Sequence, residues 1–210
     1  MPEKPTETKT QQIMAERKEN TARVTAALEA QGYHAENATV SIVKANVMAC
    51  VTALPFSVLA VLAFVLLHPE VDVLDTLGRQ ALLLLVLMAV SVPVHEGLHG
   101  CGWVGFCREK WRSIQFGVMW ESLTPYCHCR EALTVVQYDV GLLLPFTVLG
   151  LIPSVIALFM GSPLLMALGA YNLFVAGGDT TIACIITKYL GKDARILDHP
   201  DQCGAVGFVR

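Results

Sequence analysis

The sequence predicts an all-α membrane protein with four transmembrane helices, a small β-hairpin element between spans two and three, and a short C-terminal strand pair. Three observations lead there. Of 210 residues, 54% are hydrophobic and 16% charged, and the mean hydropathy is +0.52, which is not the balance of a soluble domain. Uncharged or nearly uncharged runs long enough for a hydrocarbon core of about 30 Å recur along the chain. The basic residues are also unevenly placed: six Lys/Arg precede the first run, four lie between the second and third, four follow the last, and Arg79 stands alone in the remaining loop. By the positive-inside rule both termini are cytoplasmic.

Composition also excludes some classes. The net charge is -3 and the basic residues are scattered, so no nucleic-acid footprint is present. The chain is polar for some forty residues before its first apolar run, which therefore reads as an internal span and not a cleaved leader. Seven Cys is an odd number, and most fall on the cytoplasmic side, where thiols stay reduced; no structural disulfide is expected.

Three regions follow: a polar N-terminal tail and surface helix over 1–46, a four-span domain over 47–190, and a cytoplasmic tail over 191–210. A helix is predicted near Gln11 to Ala30, ending before Gly32. Val24 and Leu28 give it a thin apolar face, and Arg17, Lys18 and Arg23 make it a solvated or membrane-surface helix. Thr39 to Val43 alternates too briefly to assign. Val47 to Leu67 is the first span, with Pro55 as a kink; Ala81 onward is the second. The third is Val140 to Met160, interrupted by Pro145 and Pro153, and the fourth is Leu164 to Thr187, whose single charge is Asp179. Gly161-Ser162-Pro163 permits only a tight turn, so spans three and four form an antiparallel hairpin.

Between Gly100 and Asp139 lie all three Trp, Trp103, Trp111 and Trp120, as suits residues riding a membrane interface. Ile114 to Trp120 is rich in β-formers, with Glu121 to Pro125 as a turn and Tyr126 to Arg130 as a return strand. Ile114 to Trp120 has two readings: an edge strand that holds a substrate extended, or an amphipathic flap over the site. Arg195 to Leu197 and Ala205 to Val209 pair around a polar turn containing His199.

At the inner end of the second run stands His95-Glu96-Gly97-Leu98-His99. Residues four apart on a helix share one face, so the two imidazoles stack to hold one ion. The spacing suits Zn²⁺, with Glu96 free to serve as the base toward water at the metal. An ionisable cluster in an apolar helix costs about 2.5 to 3.5 kcal/mol at the bilayer centre, which points to function; the plain alternative is a histidine pair capping the helix at the interface. Depth singles out Asp179 as the third ligand. At about 1.5 Å per residue, His95 lies ~21 Å, His99 ~27 Å and Asp179 ~22 Å from the outer surface. Gly177 and Gly178 would give a small-residue face that lets the second span approach. The competitors are His128 folding back from the loop as ligand, or Asp179 hydrogen-bonded to a ligating histidine. Cys127-His128-Cys129 offers three adjacent donors that cannot all turn to one ion without strain, so it reads as packing, as do Cys50, Cys101, Cys107 and Cys184.

With these motifs in order, and with Leu123 to Cys129, Gly177-Gly178-Asp179, Lys192-Asp193-Ala194 and Asp198-His199-Pro200 behind the first, the chain from about Asn46 onward resembles bacterial membrane proteins described as putative zincin peptidases. It is distantly similar to site-2 proteases. The resemblance implies a zinc-dependent peptidase of the cytoplasmic membrane acting on a peptide or membrane-protein substrate: His95, His99 and Asp179 bind Zn²⁺ and Glu96 is the catalytic base. Site-2 proteases place their ligand Asp before a Gly, whereas Asp179 follows two Gly and precedes Thr180. The alternative class is a non-catalytic zinc-binding membrane protein with a structural, sensing or transport role.

Overall fold

The computed structural model describes residues 5–119 and 124–210; Trp120 and the first three residues of the turn predicted at Glu121 to Pro125 lie outside them. Helix α1 (Pro5–Glu29) leads to strand β1 (His34–Val40), then α2 (Ile42–Leu67), α3 (Val73–Arg79) and α4 (Ala81–Val104). Strands β2 (Ile114–Met119), β3 (Thr124–Cys129) and β4 (Leu133–Thr134) follow. Helices α5 (Val135–Leu142), α6 (Ile152–Met160), α7 (Pro163–Val175) and α8 (Gly177–Ile186) come next, then β5 (Ala194–Asp198) and β6 (Cys203–Val209).

Several helix starts have a local cause. Ser41 accepts from the Lys44 N–H at the head of α2, and Asp72 accepts from Asp75 at the head of α3. Thr134 and Gln137 form a reciprocal capping box on α5. Between α6 and α7, Gly161 takes the left-handed conformation (φ 62°) that ends one helix, and Ser162 with Pro163 begins the next. The predicted tight hairpin is present.

Val43–Leu67, Ala81–Val104 and Val135–Met160 are long and apolar enough to cross a membrane. Their outward side chains meet no protein: Leu66 is 70%, Leu82 77% and Phe159 86% exposed. The third begins five residues before the predicted Val140, and therefore includes Asp139. Within it, Phe146–Leu151 widens into a π-helical stretch between Pro145 and Pro153, each of which lacks the N–H that would bond back four residues. The predicted fourth span is two shorter helices. It bends at Ala176, where Gly177-Gly178 weakens helix propensity, although Ala176 still donates to Asn172 and Thr180 to Ala176.

Two sheets sit at one end of the helices. The first has the order β1-β6-β5-β4, all antiparallel; the second pairs β2 with β3, Ile114 opposite Cys129 and Gly117 opposite Tyr126. The predicted C-terminal strand pair is thus the centre of a larger sheet, with the unassigned segment before α2 as its edge β1. Helix α1 is not free on the surface. Val24 and Leu28 pack with Tyr33, Leu197 and Phe208, and Arg17 is buried. Trp103, predicted at the interface, is buried at 2% exposure beneath α5, its indole N–H donating to the Tyr138 carbonyl at 2.8 Å. Trp111 is exposed.

Candidate metal centre

His95 and His99 lie one turn apart in the C-terminal half of α4, both buried, with ring centroids 4.8 Å apart. Asp179 approaches them from the first turn of α8, where the helix N-terminus favours a carboxylate. His95 Nε2 is 3.2 Å from His99 Nε2 and 3.1 Å from Asp179 Oδ2, and His99 Nε2 is 3.4 Å from Asp179 Oδ1. The depth arithmetic puts Asp179 level with His95; the carboxylate in fact straddles both histidines.

This donor set fits a metal ion. Ligands about 2.0 to 2.1 Å from a tetrahedral centre stand about 3.3 Å from one another, and the observed spacings bracket that. Asp179 Oδ2 is buried and has no hydrogen-bond partner, because its approach to His95 is not aligned as a hydrogen bond. Among the described residues, these three form the one group able to hold a metal.

The ring of His99 is fixed by a distant proline. Pro145 has no N–H to give the Gly141 carbonyl four residues back, and that carbonyl instead accepts from His99 Nδ1 at 2.9 Å. A carbonyl only accepts, so Nδ1 carries the proton and Nε2 turns its lone pair toward Asp179 and His95. Gly141 also needs its lack of a side chain. A Cβ there would lie 2.2 Å from the Trp103 ring, and one at Gly102 would lie 2.5 Å from the Gly141 Cα. Helices α4 and α5 touch backbone to backbone at this point, and Trp103 stacks between His99 and Tyr138.

Gly177 does not serve the approach of α4. A Cβ on it would meet Ala49 of α2 at 2.8 Å, while Gly178 faces open space. At about 100° per residue, Gly177 lies roughly 200° around α8 from Asp179 and must face the other way. Thr52 on α2 locks that second contact, 2.8 Å from the Thr180 hydroxyl.

Glu96 is partly buried and lies against the Cys127 main chain. Strand β3 is therefore the strand beside the motif. Strand β2, which the sequence puts at the cleft, instead packs Ile114 and Phe116 onto Gly100. The direction of β3 is set by two bonds: Arg130 N–H donates to Ser113, beside β2, and Cys129 N–H donates the other way to Asp198 Oδ2 at 2.6 Å. Main-chain groups alternate along a strand, so those of Cys127 and Pro125 also point away from β2. Pro125, predicted in the turn, stands in the strand, where the missing N–H falls on this open edge.

Cys127, His128 and Cys129 diverge. Cys129 packs on Cys107 with sulfurs 3.6 Å apart, and burial pushes the Cys127 thiol up, which keeps it protonated. His128 is buried and turned to Asp198, 3.6 Å from Nδ1 to Oδ2, and is not in the metal group. Burial, opposed by Asp198 and reinforced by Arg17 and Arg130, holds its pKa down at about 4. The imidazole folds neutral. Between about pH 4 and 6.5 the unfolded chain binds a proton that the folded one refuses, so stability falls as pH drops through that window, by at most about 3 kcal/mol. Thermal denaturation in detergent should show this loss, and His128→Gln should flatten it relative to the wild-type chain; parallel slopes would assign the acid sensitivity elsewhere.

Sequence reasoning passed over Asp198 except as part of a motif. It joins three elements, accepting from Cys129 on β3 and from the buried Tyr138 hydroxyl on α5 while standing at the end of β5. The Asp198-His199-Pro200 run was the available signal. His199 is a turn residue as read, its Nδ1 accepting from Gln202 N–H at 3.0 Å.

A helical pair of histidines, an aspartate from a second helix and an adjacent glutamate define a zincin-like centre. The chain belongs to the family described as putative zincin peptidase, whose model matches residues 88–192, half of its length. That stretch contains all four residues of the centre and ends before β5 and β6. It is a family of metallopeptidase type, with a zinc-type metal implied. No curated protein and no solved structure matches the chain.

Proposed function

We propose that this protein is a membrane-embedded zinc metallopeptidase that hydrolyses peptide bonds at or within the membrane. The observation that carries the reading is the convergence of His95, His99 and Asp179 on one point beside Glu96, at the inner end of an apolar helix. When bound there, Zn²⁺ supplies a Lewis acid and makes water a nucleophile near neutral pH. The chain's own groups do the rest. His95, His99 and Asp179 hold the ion, the Gly141 carbonyl keeps His99 oriented, and Glu96 accepts the proton from water and passes it to the leaving amine. A peptide bond inside a helix is screened, so the substrate must lie extended; the main-chain carbonyls of Cys127 and Pro125 on the open edge of β3 offer it acceptors next to Glu96. The deciding comparison is cleavage of a denatured or membrane-embedded test substrate by zinc-loaded wild-type protein and by Glu96→Gln.

The bilayer setting is supported by the outward apolar side chains of α2, α4 and α6. The distribution of the basic residues supports an orientation with both termini and the metal centre toward the cytoplasm of a bacterial cell and Asp72 outside. The sheets and α1 share the end of the molecule that this orientation makes cytoplasmic. An impermeant thiol reagent should reach Asp72→Cys in intact cells; labelling only after permeabilisation would reverse the arrangement.

A further inference from the structure

Beside the open edge of β3 lies a cavity of about 680 Å³, walled by α1, β3 and the turn between β5 and β6, a size suited to several residues of a peptide. Tyr126, Cys127 and His128 line one side and His199 to Gly204 the other. Cys127 connects it to Glu96, whose side chain rests on the same main chain.

One lining residue is out of keeping with a wall. Arg17 is 92% buried, counting from 8% exposure. Its Nε donates to Gln115 Oε1 at 3.2 Å, its guanidinium carbon lies 4.1 Å over the Tyr126 ring, and its Nη2 has no partner among the described residues. A buried cation with an unused donor is costly. The two acids that share the cavity do not pair with it. Asp198 already accepts from Tyr138 and Cys129, and Asp201 is held by Lys18 at 2.8 Å. Stacking on Tyr126 and the bond to Gln115 fix the plane of the guanidinium, so a partner for it needs no further ordering of the side chain.

We propose that this cavity is a subsite for a carboxylate carried by an extended peptide, an acidic side chain or a free C-terminus, and that Arg17 is the residue that selects it. The carboxylate supplies an acceptor to the guanidinium, in the planar geometry that arginine matches. The subsite rests on the peptidase reading for the nature of its ligand and refines it: the preferred substrate carries a negative charge on the Cys127 side of the reacting bond. Helix α1, which lies outside the stretch matched by the family, thereby contributes specificity to a centre built entirely inside it.

The test is equilibrium binding to full-length Glu96→Gln protein in detergent, so that bound peptide is not consumed. Three labelled apolar heptapeptides serve as probes: one with a free C-terminal carboxylate, its C-terminal amide, and the amide with one internal Glu. At least one acid-bearing probe should bind about tenfold more tightly than the neutral amide, and which one identifies the source of the carboxylate. Arg17→Gln should remove the difference, while Arg17→Lys, which keeps the stem over Tyr126 and the charge, should retain its sign. Equal binding of all three by a chain with native Arg17 overturns the subsite whatever the variants do, and so does a preference that survives Arg17→Gln. An Arg17-dependent preference in a protein whose wild-type form cleaves nothing would leave the subsite standing and remove the peptidase.

Discussion

Glu96→Gln should lower hydrolysis by about 10²- to 10⁴-fold while the protein keeps its zinc. The amide has nearly the shape of the carboxylate, and Glu96 is not in the metal group, so neither the fold of α4 nor the three donor atoms depend on its charge. What is lost is the carboxylate that would accept a proton from water at the site. Zinc stoichiometry by elemental analysis and single-turnover cleavage, measured on the same preparation, separate the two effects. Zinc lost together with activity would show that Glu96 holds the site together. Cleavage undiminished would exclude Glu96 as the base, and a wild-type protein that binds zinc yet cleaves nothing would favour the non-catalytic class.

Asp179→Ala should cost metal affinity by more than about 100-fold, beyond what loss of a group that merely orients a ligand produces. Both carboxylate oxygens face the histidines, Oδ2 toward His95 at 3.1 Å and Oδ1 toward His99 at 3.4 Å. Removing them leaves two imidazoles, too few to hold Zn²⁺ with structural or catalytic affinity. Asp179→Asn is the sharper variant because it keeps an oxygen in place and removes the charge. His128→Ala is the control, since His128 turns to Asp198 instead. Full zinc in Asp179→Ala with loss in His128→Ala would transfer the third ligand to His128.

Much of this centre was legible because its causes are local. A four-residue spacing fixes two imidazoles on one helical face wherever the helix goes. The lengths of the apolar runs, the turn at Gly161-Ser162-Pro163 and the strand pair around His199 follow from backbone rules that act over a few residues. Pro145 announces a free carbonyl at Gly141 in the same way, and it could have been read.

Where the helices turn their faces was a different matter. A soluble helix shows its inward side by its apolar stripe, but the long helices here are apolar all round, so the pattern says nothing about rotation. Only packing decided that Asp179 faces α4 while Gly177 faces Ala49 of α2, and that α4 meets α5 through Gly102 and Gly141. Sheet partnership was equally out of reach. His34 pairs with Val209 across almost the whole chain, and that contact closes α1 over β3. By itself the sequence determined the histidine face of α4 and the apolar helices that carry it. The tertiary structure alone decided the burial of Arg17 and the strand edge beside Glu96, because both depend on contacts between distant segments, 98 residues from Arg17 to Gln115 and 69 from Cys129 to Asp198, beyond the reach of any local period.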